Sequence, residues 1–500
     1  MSLTAQTKLL FEDAEWDFGT LQRTYDAIEE IAVNDLGLSL YANQIEIISS
    51  EQMLDAYSSH GMPLMYNHWS FGKIFAREQM MYQKGYQGLA YEIVINADPC
   101  INFLMEENSM TMQALVMAHA AMGHNHFFKN NYLFRQWTDA EGILDYLNFA
   151  KQYVARCEEE YGFDAVEQIV DSAHALMDQG VFRYNRPPRL SEAEKLERIR
   201  RRLAHDHETF NDLWRTLPPA PAGERADEDP DAAAERERLK LPEENILYFL
   251  EKHSPVLRPW QREILRIVRN VAQYFYPQKQ TKVMNEGCAT FVHHTIMNTL
   301  FEQGLIHEGH MLEFMHSHTS VVFQPGFDDP RYRGINPYAL GFAMMDDIRR
   351  ICDEPTEEDR EWFPDFAGSG DWRNVLKDAW ANFRDESFIQ QYLSPKVIRD
   401  FRLFALGDDG AEPFYSVSAI HDEFGYREVR QRLAAMYDIG ELEPNIQVVD
   451  ADLKGDRTLH LQHTRHRGVP LADSSKKKVL GHIRRLWGYD VEMTEVDGDT

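Results

Sequence analysis

Short apolar runs of strand character alternate along the chain with longer segments whose apolar residues recur at helical spacing. In GLAYEIVINADPC (Gly88 to Cys100), the run from Tyr91 to Ile95 is β-branched and aromatic and is bounded by turn formers, which predicts a strand. Asn108 or Ser109 then stands at the cap position of a helix, MTMQALVMAHAAMG, which Gly123 is expected to end. The helical series continues through ILYFLEKHSPVL, WQREILRIVRNVAQYFY, Glu286 to Gln303 (closed by Gly304) and Ile335 to Ile351.

The pattern breaks twice. From about Leu217 to Glu243, LPPAPAGERADEDPDAAAERERLKLPE is rich in Pro, Ala and charge and reads as a flexible surface insertion within one domain. From Ala411 onward the elements shorten. PFYSVSAIHD reads as a strand and YREVRQRLAAMYDI as a helix, followed by NIQVVDADL and TLHLQHTRH as a hairpin, SSKKKVLGHIRRLWG as a helix and VEMTEVD as a strand. That order, β-α-β-β-α-β, is the order of a ferredoxin-like unit. The expected fold is therefore α+β and mainly helical. Residues 1–410 form a large zincin-like helical domain with a short sheet, and residues 411–500 form a small C-terminal ferredoxin-like α/β domain.

Composition narrows the function classes. A hydrophobic content of 43% over 500 residues is enough for a large core. Lys plus Arg is 52 against 81 Asp plus Glu, a net charge of −29, which repels nucleic-acid backbones and anionic membrane surfaces. The four cysteines are far apart and form no CxxC pair, so neither a disulfide framework nor a thiolate zinc knuckle is expected. The acidic N-terminus lacks the apolar stretch of a secretory signal, and no run reaches the ~18 apolar residues of a membrane span. A cytoplasmic location is the expectation.

Chemistry concentrates in three windows that hold nine of the 20 histidines. His119, His124 and His126 lie in HAAMGHNHFFKNN. On an ideal helix His119 and His124 point about 140° apart, so their convergence on a metal requires a turn at Gly123. This is not HExxH, because Ala120 stands where that motif has its base. Hydrogen-bonded core histidines would give the same pattern. In MNEGCATFVHHTI, Glu286 is read as the start of an apolar helix with His293 on the same face, one a ligand and the other its support or a further ligand. In FMHSHTSVVFQP, His316 and His318 alternate as on a strand or extended loop, with Tyr338 downstream in INPYALG, placing His318 and Tyr338 near a substrate. Glu106 and Glu107 precede the first histidine helix, and Glu107 is a candidate base. His68, Trp69 and Lys73 have the mixture of a pocket wall. A strand, a helix with two histidines and a later helix with a Glu resembles the layout of two-His-one-Glu zinc hydrolases. The expected ligands of a divalent metal, zinc by this likeness, are His119, His124 and Glu286, with His293 beside them.

At these motifs the chain resembles the stage V sporulation protein R family, from about Trp16 to Glu495. The resemblance is carried by QIEIISSEQMLDAYSSHGMP, HWSFGK, GLAYEIVIN, PCINFLMEEN, MQALVMAHAAMGHNHFFKNNYLF, YFYPQKQTKVMNEG, LEFMHSHTSVVFQP, GINPYALGFAM and ESFIQQYLSPKVIRDFR. It implies a link to the spore cortex, a peptidoglycan layer, and to stress programmes in bacteria that form no spores. There it implies a serine protein kinase and a von Willebrand-type domain protein as partners. Glu286 and His293 fit the family pattern, whereas relatives carry tryptophan at the positions of Cys288 and Val292. Two functions remain in view: hydrolysis of an amide or peptide bond at a metal, and a non-catalytic adaptor role in a kinase system.

Overall fold

The computed structural model describes residues 9–58, 65–66, 68, 92–183, 239–327, 329–407, 416–419, 421–453, 455–465 and 470–498. These residues are mainly helical with three small sheets. Among them, no helix is long and apolar enough to cross a membrane. The chain divides into two compact units: residues 1–171 with 270–443, and residues 172–269 with 444–500.

The first unit is built around a helix that is apolar on nearly every face. Lys282–Glu302 buries Met284, Cys288, Phe291, Val292, Ile296 and Leu300, among others, as a helix does when neighbours surround it. It starts four residues before Glu286, so Glu286 lies in its second turn and not at its first residue. The N-terminal N–H groups are taken by buried Asp385, which accepts from Val283 and Met284 at 2.9 Å each. Two neighbours approach it at backbone distance. A Cβ on Gly123 would stand 2.4 Å from the Ala289 Cα, and one on Gly341, in the helix Pro337–Asp353, would stand 2.2 Å from the Val283 carbonyl oxygen and 2.7 Å from the Gly287 Cα.

A three-stranded sheet covers this core. β1 (Asn43–Ile48) runs parallel to β3 (Cys100–Met105), and β2 (Glu92–Ile95) pairs antiparallel with β3 on its other edge. Strand alternation sorts the side chains of β2. Ile93 joins Met53, Leu54 and Met105 in a small cluster, whereas Val94 packs on the main core. Glu92 lies two residues before Val94 and shares its face.

The C-terminal strands and helices form where the pattern predicts them, but they do not assemble as one ferredoxin-like domain. β5 (Ser416–Ala419) pairs with β4 (Ala405–Gly407), and the following helix, Glu423–Ala435, buries Tyr426, Val429 and Leu433 in the main core. Residues up to Glu443 therefore belong to the first unit, past the expected boundary at 410. The second unit keeps three strands. β6 (Asn445–Ala451) and β7 (Leu459–Arg465) form a hairpin, and the helix Asp473–Trp487 returns the chain to β8 (Val491–Asp497), parallel to β7. Trp487 at the end of that helix packs on Phe249 from Ile246–His253, ring centroids 5.8 Å apart. That helix follows the expected insertion. Residues 217–238 of the insertion, with Trp69 and Lys73, lie outside the described residues.

Gly341→Ala places a methyl against backbone that has no side chain to swing away. The expected outcome is a loss of about 1–3 kcal/mol in urea unfolding of the full chain, as for other overpacked cores. Gly304→Ala is a poor comparison because its φ is +69°, whereas Gly481→Ala, inside the helix Asp473–Trp487 with open space at the Cβ, should raise stability by about 0.5–1 kcal/mol.

Candidate metal centre

Gly123 does not end the helix that carries the first histidines. Met110–Val116 opens with Ser109 as its cap, Met117–His124 continues as a π-helix, and Asn125–Asn130 completes the run. The π segment resolves the spacing problem. Its hydrogen bonds join residues five apart, as from the Asn125 N–H to the Ala120 carbonyl, so i and i+5 come to lie one above the other. His119 and His124 thus share a face, with ring centroids 4.7 Å apart. Gly123 serves close approach to Ala289, not termination. Side chains anchor the widened turn to the sheet: Asn43 Nδ2 donates to the Ala121 carbonyl at 3.0 Å, and Asn125 Nδ2 donates to Asn43 Oδ1 at 2.8 Å.

Two carboxylates meet the two imidazoles. Glu92 Oε1 stands 3.2 Å from His119 Nε2 and 3.9 Å from His124 Nε2. Glu286 Oε2 stands 3.8 Å and 3.6 Å from the same nitrogens. Glu92, His119 and His124 offer donor atoms that all lie within 4.8 Å of one another and can hold a metal ion. Donors bound at 2.0–2.1 Å to a tetrahedral zinc sit about 3.3–3.4 Å apart, so the separations here need only small adjustments. Glu286 Oε2 is buried and finds no hydrogen-bond partner among the described residues. The histidine side chains are 5% and 8% exposed, whereas the carboxylates keep 17–19%, so the cluster opens on their side.

A second layer fixes the imidazoles. His124 Nδ1 is 2.9 Å from Asn285 Oδ1, and His119 Nδ1 is 2.8 Å from His293 Nδ1. His293 Nε2 is in turn 2.9 Å from His318 Nδ1. With Nε2 of His119 and His124 left as acceptors, each Nδ1–H donates outward, to His293 and to Asn285, as in most histidine metal sites. Tyr338 stacks on His119 with ring centroids 6.3 Å apart, and its hydroxyl helps to lower the Glu286 carboxyl.

The structure thus gathers His119, His124 and Glu286 at one point and places His293, His318 and Tyr338 around it. His293 lies behind His119, against its Nδ1. The third window is not a strand: His316 and His318 lie on the helix Glu308–Val321, so His318 is buried and His316 exposed. Glu107 is exposed and accepts from the Ser50 N–H, at the start of the helix Ser50–Ser58, at 3.3 Å. His126 bonds the Ser39 backbone, His307 caps its own helix, and His310 bonds Thr111, all structural contacts. His68 pairs with Asp171 at 2.8 Å. The carboxylate that sequence reading missed is Glu92. Its signal was a single acid in an otherwise apolar strand. Asn285, beside Glu286, was also missed.

Burial pushes Glu92 up to about 7, with His119 opposing the rise and Glu286 adding to it. Burial would also raise Glu286, but His119, His124 and the Tyr338 hydroxyl together hold it below the ordinary carboxylate value. Burial works against charge on His119, yet Glu92 and Glu286 outweigh it and raise that imidazole. His124 and His318 are brought down to about 4, chiefly by burial, and His293 is held well below its usual value by burial and its histidine neighbours.

Comparison with known proteins gives a consistent assignment. A family model described as SpoVR like protein matches residues 15–442, and one described as SpoVR-like C-terminal domain matches residues 444–498. The chain is 55% identical over 498 residues to a protein of Escherichia coli (strain K12) described as uncharacterized protein YcgB, covering 100% of this chain and 96% of that one. No solved structure matches it.

A histidine whose folded value is depressed contributes stability that is full above its unfolded value and is lost as pH falls. For His318 that window runs from the usual 6.5 down to about 4. Between pH 7 and pH 5, the urea midpoint of His318→Gln should therefore fall less than that of the wild type. The difference should correspond to roughly 1–2 kcal/mol.

Proposed function

The chain belongs to the SpoVR family, and we propose that it is a metal-dependent hydrolase of an amide or peptide bond, with one divalent ion held by His119, His124 and Glu92. The observation that carries this reading is the convergence of two imidazole nitrogens and two carboxylate oxygens, 3.2–3.9 Å apart, in a largely buried cluster. Once Glu92 and His119 give up their protons, two carboxylates and two neutral imidazoles carry a charge of −2 out of water. Such a cluster is expensive without compensation, and a divalent cation matches it in both charge and donor type. Zinc suits mixed nitrogen and oxygen donors at these separations. When bound, it would polarise a carbonyl and lower the pKa of a water molecule.

The protein groups then have distinct tasks. Asn285 and His293 hold His124 and His119 with Nε2 turned inward. Glu286, ionised and with no hydrogen bond to Oε2 among the described residues, is placed to take a proton from an attacking water. Tyr338, half-buried beside Glu286 and His119, is a donor for a developing oxyanion. This arrangement puts the base on a separate helix, which is how a site without HExxH can still have one. The link to peptidoglycan peptides or to a kinase partner rests on the family resemblance alone.

Metal analysis of the purified full-length chain tests the reading. One transition-metal ion per chain is expected, with loss in His119→Ala and an affinity for zinc at least about tenfold weaker in Glu92→Gln. Glu286→Gln should keep the metal and lose hydrolysis of a fluorogenic peptide library. If Glu286→Gln loses the metal instead, it is a ligand and not the base. A folded wild type that binds no zinc, iron or manganese at micromolar concentration rejects the proposal.

Metal binding must displace protons from Glu92, which is pushed up to about 7, and from His119, which the two carboxylates raise. Both values are raised, so apparent zinc affinity should climb as pH rises through 7. The slope should be about tenfold per pH unit for each proton displaced.

A further inference from the structure

The first unit carries a second concavity that shares no residue with the metal centre. It encloses about 630 Å³ between the loop segments Gln324–Phe327 and Tyr332–Ile335, the stretch Phe401–Phe404 and the helix Glu423–Ala435. Val429 and Leu433 form a buried apolar floor. Phe327, Phe404 and Met436 stand on its rim with 63%, 47% and 63% of their surface in water. Single exposed apolar residues are ordinary, but three on the rim of one groove make a patch.

Two arginines, Arg402 and Arg432, line the same groove on a chain whose net charge is −29. Arg432 pairs with Glu428 at 2.6 Å, whereas Arg402 has no ion pair among the described residues. Arg402 also occupies a position that favours another residue. Its N–H bonds the Arg399 carbonyl and the Leu403 N–H bonds the Ile398 carbonyl, both at 3.0 Å, which is a Schellman cap on the helix Pro395–Asp400. The residue at that point is left-handed, with φ +51°, where glycine is the unstrained choice. The chain thus keeps a cation at the groove in place of the residue its backbone prefers.

We propose that this groove docks an acidic amphipathic helix of a partner protein, its apolar face on Val429 and Leu433 and its carboxylates toward Arg402 and Arg432. Charge selects the partner: an anionic segment is drawn to this basic point and repelled by the rest of the acidic surface. The open rim selects a macromolecular segment over a small ligand, which enclosed pockets bury almost completely. Apolar residues at i, i+3, i+4 and i+7 are the anchors such a groove accepts.

The test uses the full-length chain and a fluorescein-labelled synthetic helix with Leu at the anchor positions and Glu elsewhere, followed by fluorescence anisotropy. Saturable binding in the micromolar range is expected, weakened about tenfold in Arg402→Gly and in Met436→Asp, and weakened by salt. A matched peptide with Lys for Glu should not bind. Arg402→Gly should also raise the thermal midpoint, because glycine suits the cap, so its loss of binding cannot be ascribed to misfolding. The proposal is overturned if the acidic peptide fails to bind, if the Lys peptide binds equally, or if Arg402→Gly binds as wild type. It is also overturned if decanoate saturates the groove while the peptide does not, or if Met436→Asp dissolves a dimer of this chain.

Discussion

Backbone meets backbone on two sides of the helix Lys282–Glu302, at Gly123 against Ala289 and at Gly341 against Gly287. A methyl group at either crossing would push a neighbour away by an amount that packed interiors do not absorb. The consequence reaches the candidate centre directly. Asn285, Glu286 and His293 leave this one helix and meet side chains from the π segment and from Pro337–Asp353. A wider spacing would leave Asn285 short of His124 and His293 short of His119. The same proximity brings the Tyr338 ring beside His119. Helix spacing, set by three glycines, is thus the constraint from which the geometry of the cluster follows.

That geometry creates an electrostatic problem as it solves a structural one. Carboxylates are rarely buried beside each other, because each loses hydration and repels the other. Here Glu92 and Glu286 respond in opposite directions, one raised to about 7 and the other held low. The difference lies in their partners. Glu286 has both histidines and a tyrosine hydroxyl against it, whereas His119 is the attraction opposing the rise in Glu92. Pairs of acids driven apart in this way are characteristic of sites built for chemistry, where one group must stay ionised while another trades its proton for something else. A proton on Glu92 and the proposed divalent ion would be competing ways to settle the same charge.

Much of this was legible in the sequence, and the failures have distinct physical causes. The helices read as Glu286 to Gln303 and Ile335 to Ile351 form as Lys282–Glu302 and Pro337–Asp353, and Ser109, one of two cap candidates, is the cap; these followed from periodicity and cap chemistry. The convergence of His119 with His124 was anticipated, but the means was not: a π-helix has no composition of its own, and Gly123 signals a stop and a close crossing equally well. His316 and His318 alternate, yet they lie on a helix, because two residues cannot tell period 2 from the 3.6 of the surrounding segment. Glu92 escaped notice because strands carry polar residues as a matter of course, and the face that Glu92 shares with Val94 is decided by tertiary packing. The ferredoxin-like order failed for a related reason. Element order says nothing about which core an amphipathic helix chooses, and Glu423–Ala435 chose the larger one.

The polar layer behind the cluster explains how its shape is held by the chain itself. An imidazole has two nitrogens, and a neutral ring aims one at its target only if the other is committed elsewhere. His124 commits to Asn285, and His119 to His293, which commits to His318 in turn. Because each neutral ring can donate once and accept once, a donor at His119 Nδ1 fixes the sense of every bond in that row. On the opposite side, Asn43 ties the π segment to β1, and Asn102 and Asn125 both donate to Asn43. These contacts are made between residues of the chain and need no ion to close them. The inward Nε2 atoms of His119 and His124 are therefore oriented by the chain itself, which is the condition under which a small set of donors can hold and tune a reactive centre.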